Sequence, residues 1–180
     1  MKNLKTLWLI TARSGSKSIP NKNIKLLNGK PLLDYRIKSA NKTSYPKSVW
    51  ISTDSKEYAQ IAKSSGAEVK FMRPDELATD NSSSVDVVLH AMNYAEKHNY
   101  KFDFIGLLEP TSPFITANQL DQAILKLSIT KDARSIVAVI EHRPNTIFVQ
   151  DDAPYLDVLA KNLDNLSNVG RQEFKNQITP

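Results

Sequence analysis

The sequence predicts an α/β fold built on a mostly parallel sheet with helices on both faces. Short, near-continuously apolar runs alternate with stretches of helical periodicity. Helix-start and helix-stop residues stand between them. The loops richest in cations and small residues follow directly after apolar runs, where sheets of this kind bind ligands.

Leu4–Ala12 reads as a first buried strand. Pro31–Ser39 reads as a helix, with Pro31 in its first turn and Leu32, Leu33, Tyr35, Ile37 and Ala40 as apolar positions. Ser48–Ser52 is a second strand. Ser55–Ser65 carries Tyr58, Ala59, Ile61 and Ala62 at helical spacing, and Gly66 follows as a C-cap. Glu68–Met72 is a third strand and Ser82–His98 a long helix with Val85, Val88, Leu89, Met92 and Ala95 on one side. Phe102–Leu108 is a fourth strand. Thr116–Leu127 is a helix opened by a capping-box pattern, Thr116 with Gln119. Arg134–Ile140 reads as a fifth strand and Ile147–Gln150 as a sixth. Beyond Ala153 the periodicity fades, and Asn162–Pro180 is polar.

At 180 residues, one domain with a sizeable core is expected. A hydrophobic share of 41% and a charged share of 24% are ordinary for a globular protein. The net charge of +5 suits an anionic small molecule, and it suits a solvated basic surface equally. No block of like charge points to nucleic acid. The absence of Cys excludes disulfides, a thiolate nucleophile and a Cys-ligated metal, and is compatible with a cytoplasmic protein. No apolar run approaches the length of a membrane span, and the N-terminus lacks a signal-peptide pattern.

The most informative segment is Thr11–Lys25. Arg13, Lys17, Lys22 and Lys25 lie among Ser14, Gly15, Ser16 and Ser18, immediately after a buried strand. Small residues let backbone N–H groups approach phosphate oxygens, and the cations neutralise them. Neither the Walker pattern nor G-x-G-x-x-G occurs. A lysine-rich surface turn is the plain alternative; four cations in such a loop favour phosphate. The carboxyl ends of strands one, two and four bring residues 13–25, Thr53-Asp54 and Glu109–Pro113 to one edge. Thr79–Ser84 reads foremost as a helix cap, although the same helix N-terminus also suits an anion or a sugar hydroxyl. Arg73 is weak evidence alone: a surface residue, or a contact to a base or phosphate. In Glu109–Pro113 two prolines stiffen a loop that presents Thr111 and Ser112. His90, His98 and His142 are too scattered for a zinc site.

Taken together these motifs resemble the acylneuraminate (CMP-sialic acid) cytidylyltransferases. Thr11–Ile24 resembles the family's nucleotide-binding signature. Ser52-Thr53-Asp54, Arg73–Asp80 and Leu107–Pro113 follow in the family's order, and Gly170-Arg171-Gln172-Glu173 resembles its later Arg-Arg-Gln-Asp segment. The resemblance implies a Rossmann-like nucleotidyltransferase sheet and a reaction in which the anomeric hydroxyl of a nonulosonic acid attacks the α-phosphate of CTP, with Mg²⁺ assisting. By position, Arg13 and Lys17 are implied to hold the triphosphate, and Arg171 to sit near the reacting phosphate. Lys22, Asn23, Arg73, Ser82 and Ser84 are implied to serve nucleotide binding, and Glu109, Thr111 and Ser112 to face the acidic sugar. A homodimer is implied for the complete protein.

Two departures from the pattern matter. Glu109 stands where the sialic-acid enzymes carry Gln, and a carboxylate repels a carboxylated sugar unless a cation offsets it. Gly170 replaces an Arg. The family also continues past the Arg-Gln segment into a dimerisation element and a metal-binding Asp-x-Asp pair, and no D-x-D occurs here. The expectation is therefore a single cytidylyltransferase-like domain over 1–180 lacking its C-terminal part, with metal ligands unassigned. The competing readings are a nucleotidyltransferase for another sugar or sugar phosphate, and a catalytically silent nucleotide-binding module.

Overall fold

The structure, a computed structural model, describes residues 4–139 and the strand residues 148–149, 157–158 and 177–178. The chain divides into two units, residues 1–136 and 137–180. The first unit runs β1 (Thr6–Thr11), β2 (Leu26–Leu27), β3 (Lys30–Pro31), α1 (Leu32–Asn41), β4 (Lys47–Ser52), α2 (Lys56–Ser64), α3 (Ser84–Lys97), β5 (Phe104–Leu108) and α4 (Ala117–Ile129). In the second unit, β6 (Phe148–Val149) pairs antiparallel with β7 (Asp157–Val158) and β8 (Gln177–Ile178).

The main sheet has the order β4-β1-β5, and β1 pairs in parallel with both neighbours. β1 is central because its residues are apolar on both faces. Leu7 and Leu9 face one core with Trp50, Ala91 and Ala95, under α3. Trp8 and Ile10 face the other, with Leu33 and Ile37 of α1, Ala62 of α2 and Leu120 and Ile124 of α4. Period-two alternation in a strand with helices on both sides gives two cores. Trp50, fully buried, makes edge-on contacts to Phe71, Tyr94, Tyr100 and Phe102 at centroid distances of 5.2–6.3 Å. Each such pair contributes about 0.5–1.5 kcal/mol beyond area burial.

Gly106 of β5 lies opposite Trp8 in the register. A Cβ there would overlap the indole ring. The Trp8 indole N–H donates to Thr43 Oγ1 at 3.3 Å.

The caps expected at Thr116 and Gly66 form. Ser55, read as the first helical residue, is instead the N-cap of α2, its Oγ accepting from the Tyr58 N–H. Thr116 and Gln119 close a reciprocal capping box. After α2, Gly66 takes φ +100°. Its N–H reaches Lys63 O and that of Ala67 reaches Ala62 O, the paired bonds of a Schellman stop.

Three expected elements differ. Of Glu68–Met72, only Glu68 joins the sheet, as a parallel bridge to Trp50. Phe71 instead packs its ring on Trp50, and the chain swings out so that the Arg73 N–H bonds Thr53 O at 2.8 Å. Residues 134–139 form no strand and are exposed. β-branched residues make a strand only where a neighbour supplies hydrogen bonds and a face to bury. The helix expected from Ser82 begins at Ser84, because Ser83 is its N-cap. The sixth expected strand is present at Phe148–Val149.

Candidate functional site

β1 and β4 run in the same direction, so the loops after Thr11 and Ser52 leave from one edge. They are tied together there. Asp54 accepts the Ser14 N–H at 2.9 Å and the Ser14 hydroxyl as well. This bond turns the chain just past β1. Asn21 takes a left-handed φ of 53° and opens a 3₁₀ turn, Lys22–Ile24. Asn tolerates that region better than other non-glycine residues. The turn returns Asn23 beneath the loop, where its side-chain amide donates to Arg13 O at 3.0 Å. A hairpin follows: β2 and β3 pair around Asn28-Gly29, both at positive φ.

The loop therefore projects Arg13 and Lys17 from a tethered backbone. Both reach the same carboxylate. An Arg13 terminal nitrogen lies 2.6 Å from Asp80, and Lys17 pairs with the other Asp80 oxygen. Arg13 also donates to Ala78 O at 3.5 Å. Asp80 is presented by a small clasp in which Ser82 Oγ accepts the Thr79 N–H at 3.1 Å and donates to Glu76 O at 3.0 Å. Lys17 first, and Arg13 second, hold the Asp80 carboxyl below the usual carboxylate range.

Arg73 lies behind this group, 6% exposed. Its Nε donates to Ser52 Oγ at 3.0 Å and one terminal nitrogen to Ser52 O at 2.7 Å. Burial pulls its pKa down to about 10, the Asp54 carboxylate opposing and the Arg13 charge assisting. It remains a cation at neutral pH. The positive charge of Arg13 and Arg73 is thus braced by Asp54 and Asp80 rather than by solvent alone.

The loop after β5 is held from below. Pro110 is fully buried. Glu109, Thr111 and Ser112 are exposed. The Glu109 carbonyl accepts the Ser112 N–H at 3.2 Å and the Arg36 Nε–H at 3.0 Å. Arg36 comes from α1, is 4% exposed, and keeps one buried terminal nitrogen without a hydrogen-bond partner. Burial lowers its pKa and the nearby Glu109 charge raises it. It is the kind of cation that a Glu facing an acidic ligand requires.

Arg13, Lys17, Asn23, Arg73 and Ser82 thus gather around the β1 and β4 ends, with Lys22 half-exposed in the turn. Ser82 and Asn23 spend hydrogen bonds on the backbone, and Arg73 does so on Ser52. Ser84 is the first residue of α3. Glu109, Thr111 and Ser112 share their own loop. Arg171 and His142 lie outside the described residues.

Asp80 and Arg36 are the site residues that the sequence reading does not single out. Asp80 is read as part of a capping run. Arg36 carries a usable signal, since it stands on the same helical stripe as Leu33 and Ala40 and a charge there must be buried. Among the described residues no group of three His, Asp or Glu side chains could hold a metal. Asp54 and Asp80 are both engaged, on Ser14 and on the two cations. The described residues alone do not fit the Mg²⁺ site that the resemblance implies.

The cytidylyltransferase family model matches residues 7–170. A CMP-N,N'-diacetyllegionaminic acid synthase from Legionella pneumophila is 37% identical over 76% of this chain and 58% of its own length. An N-acylneuraminate cytidylyltransferase from Escherichia coli is 37% identical over 79% of this chain and 33% of its own. A pseudaminic acid cytidylyltransferase from Campylobacter jejuni is 35% identical over 77% and 59%. The chain thus spans under two thirds of each of these relatives. Among solved structures, a CMP:2-keto-3-deoxy-manno-octonic acid synthetase complexed with CTP superimposes with a TM-score of 0.62 at 22% identity, over 84% of this chain and 63% of the other. The shared fold is the parallel β4-β1-β5 sheet with its helices. With the family match running from β1 almost to the C-terminus, the chain belongs to the cytidylyltransferase family.

Proposed function

We propose that this chain carries the nucleotide site of an enzyme that transfers CMP from CTP to the anomeric hydroxyl of a nonulosonic acid. The observation that carries the reading is the convergence of Arg13 and Lys17 on one carboxylate at the carboxyl edge of the sheet. Two cations that share a carboxylate at this spacing suit phosphate oxygens. The relatives that act on legionaminic, N-acylneuraminic and pseudaminic acid support the substrate class.

In this reading the sugar hydroxyl oxygen forms a bond to the α-phosphorus. The bond from that phosphorus to the β-bridging oxygen breaks, pyrophosphate leaves, and the hydroxyl proton passes to solvent. Arg13 and Lys17 hold the departing phosphates and neutralise charge that builds on them. Positioning and charge stabilisation supply most of the catalysis in such transfers. Asn23 keeps the loop backbone in place. Arg73 joins the β4 end to the same field, and Lys22, Ser82 and Ser84 border the nucleoside side. The Glu109–Ser112 loop faces the sugar, with Arg36 offsetting the Glu109 charge. The resemblance implies a role for Arg171 near the α-phosphate, and that residue lies outside the described residues. Mg²⁺ is implied by the resemblance alone, and no ligand set for it is present among the described residues.

The family match crosses both units of the chain, which supports reading 1–180 as parts of one cytidylyltransferase domain. A cytoplasmic homodimer is the expected setting of the whole protein. Among the described residues no helix is long and apolar enough to cross a membrane. The test is pyrophosphate release with Mg²⁺, each of the four nucleoside triphosphates and a panel of nonulosonic acids. Release with CTP and an acid sugar is expected. Release only with another triphosphate or sugar favours a different nucleotidyltransferase. CTP binding with no release under any condition favours a silent nucleotide-binding module.

A further inference from the structure

Asp80 is placed oddly for a residue that merely caps α3. Ser83 supplies the cap, through its hydroxyl to the Asp86 N–H at 3.1 Å. The Asp80 carboxylate instead divides its two oxygens between Arg13 and Lys17. An anion bound by both cations would have to displace it from them. Lys17 is largely exposed, with 80% of its side chain accessible, and has the freedom to exchange one anion for another. Asp80 itself is only partly exposed and is carried by the Thr79–Ser82 clasp, so it stays close to the cations when a ligand displaces it.

We propose that Asp80 is a built-in competitor for the phosphate seat, setting the affinity for CTP and helping to expel pyrophosphate. The inference rests on the assignment of Arg13 and Lys17 to the leaving phosphates. A triphosphate carries more negative charge than one carboxylate and displaces it. After transfer, the free pyrophosphate faces a tethered carboxylate at high local concentration. Return of Asp80 to both cations then favours release. A competitor of this kind weakens binding of CTP and pyrophosphate alike. It has little effect on CMP, which lacks the β- and γ-phosphates.

The test is calorimetric titration of the full 180-residue chain, wild type and Asp80→Asn, with inorganic pyrophosphate, CTP and CMP. The variant is nearly isosteric, and Asp80→Ser serves as a second check should Asn perturb folding. Removal of two partly exposed ion pairs should tighten pyrophosphate and CTP about three- to tenfold, with CMP changed less than twofold. Unchanged or weaker pyrophosphate binding would overturn the proposal, because Asp80 would then be positioning the cations. An equal gain for CMP would also overturn it, since that marks a general field effect. If the wild type binds CTP and only the Asp80 variants fail to respond, the phosphate-seat assignment stands and the competitor role falls. If the wild type binds neither pyrophosphate nor CTP, both fall together.

Discussion

Replacing Arg73 with Met separates a structural clamp from a ligand contact. The sequence alone leaves Arg73 either a surface residue or a contact to a base or phosphate. In the fold, the guanidinium is 6% exposed and two of its nitrogens are bonded to Ser52, at 3.0 and 2.7 Å. Hydrogen bonds involving a charged group contribute about 1.5–3 kcal/mol each. Met fills the aliphatic space, so cavity cost is small, but Ser52 O loses a buried donor and Asp54 a nearby cation. Relief of the desolvation that draws the Arg73 pKa to about 10 offsets part of this. The net expectation is a loss of about 3 kcal/mol, within the range for breaking a buried charged group from its partners. For a chain of this size Tm falls about 2–4 °C per kcal/mol, or about 6–12 °C. Urea unfolding followed by far-UV circular dichroism gives the free energy directly. Arg73→Lys should lose nearly as much, because an ammonium cannot span Oγ and O as the guanidinium fork does. Variants within about 0.5 kcal/mol of wild type would refute the clamp and return Arg73 to a ligand role alone.

Lys17→Ala should weaken CTP binding about two- to fivefold, a modest loss because the ammonium is exposed and screened; unchanged affinity in a titration would count against its place on the triphosphate. The Asp80 carboxyl is held low by Lys17 and Arg13, so its pairing is complete above the ordinary value of 3.8 and is lost only as pH falls through a lower midpoint. Carbon-13 NMR titration of the Asp80 carboxyl should show that midpoint below 3.8 in the wild type and closer to it in Lys17→Ala; a wild-type midpoint at or above the ordinary value would contradict the geometry. Gly106→Val should destabilise the fold by about 1–3 kcal/mol, since its side chain enters the space of the Trp8 ring. A normal denaturation midpoint for that variant would place the ring elsewhere.

Much of this fold was legible along the chain because its signals are local. The apolar run of β1, the Thr116–Gln119 box and the Gly66 stop each depend on residues a few positions apart, and each forms. The Asn28-Gly29 hairpin carries a local signal too, a dipeptide suited to two positive φ angles, but its strands are two residues each, too short to show a period. Glu68–Met72 and Arg134–Ile140 misled for the opposite reason. Their β-branched and aromatic content describes what a strand can contain. Whether a ladder forms depends on a neighbour, and Phe71 packs its ring on Trp50 instead of extending the sheet.

The site divides in the same way. A cationic, small-residue loop after a buried strand marks a candidate phosphate edge, because charge type and strand position are written in the order of residues. The roles within that edge were not. Asp80 looked like a cap until the fold set it between Arg13 and Lys17, 67 and 63 positions away in the chain. Arg36 looked like one more helical residue until the core closed around it and left Glu109 O as a partner. Residue type and local periodicity establish which chemistry is available. Which charges meet, and which are withdrawn from water, depends on contacts distant in sequence, and those exist only once the helices have packed on the sheet.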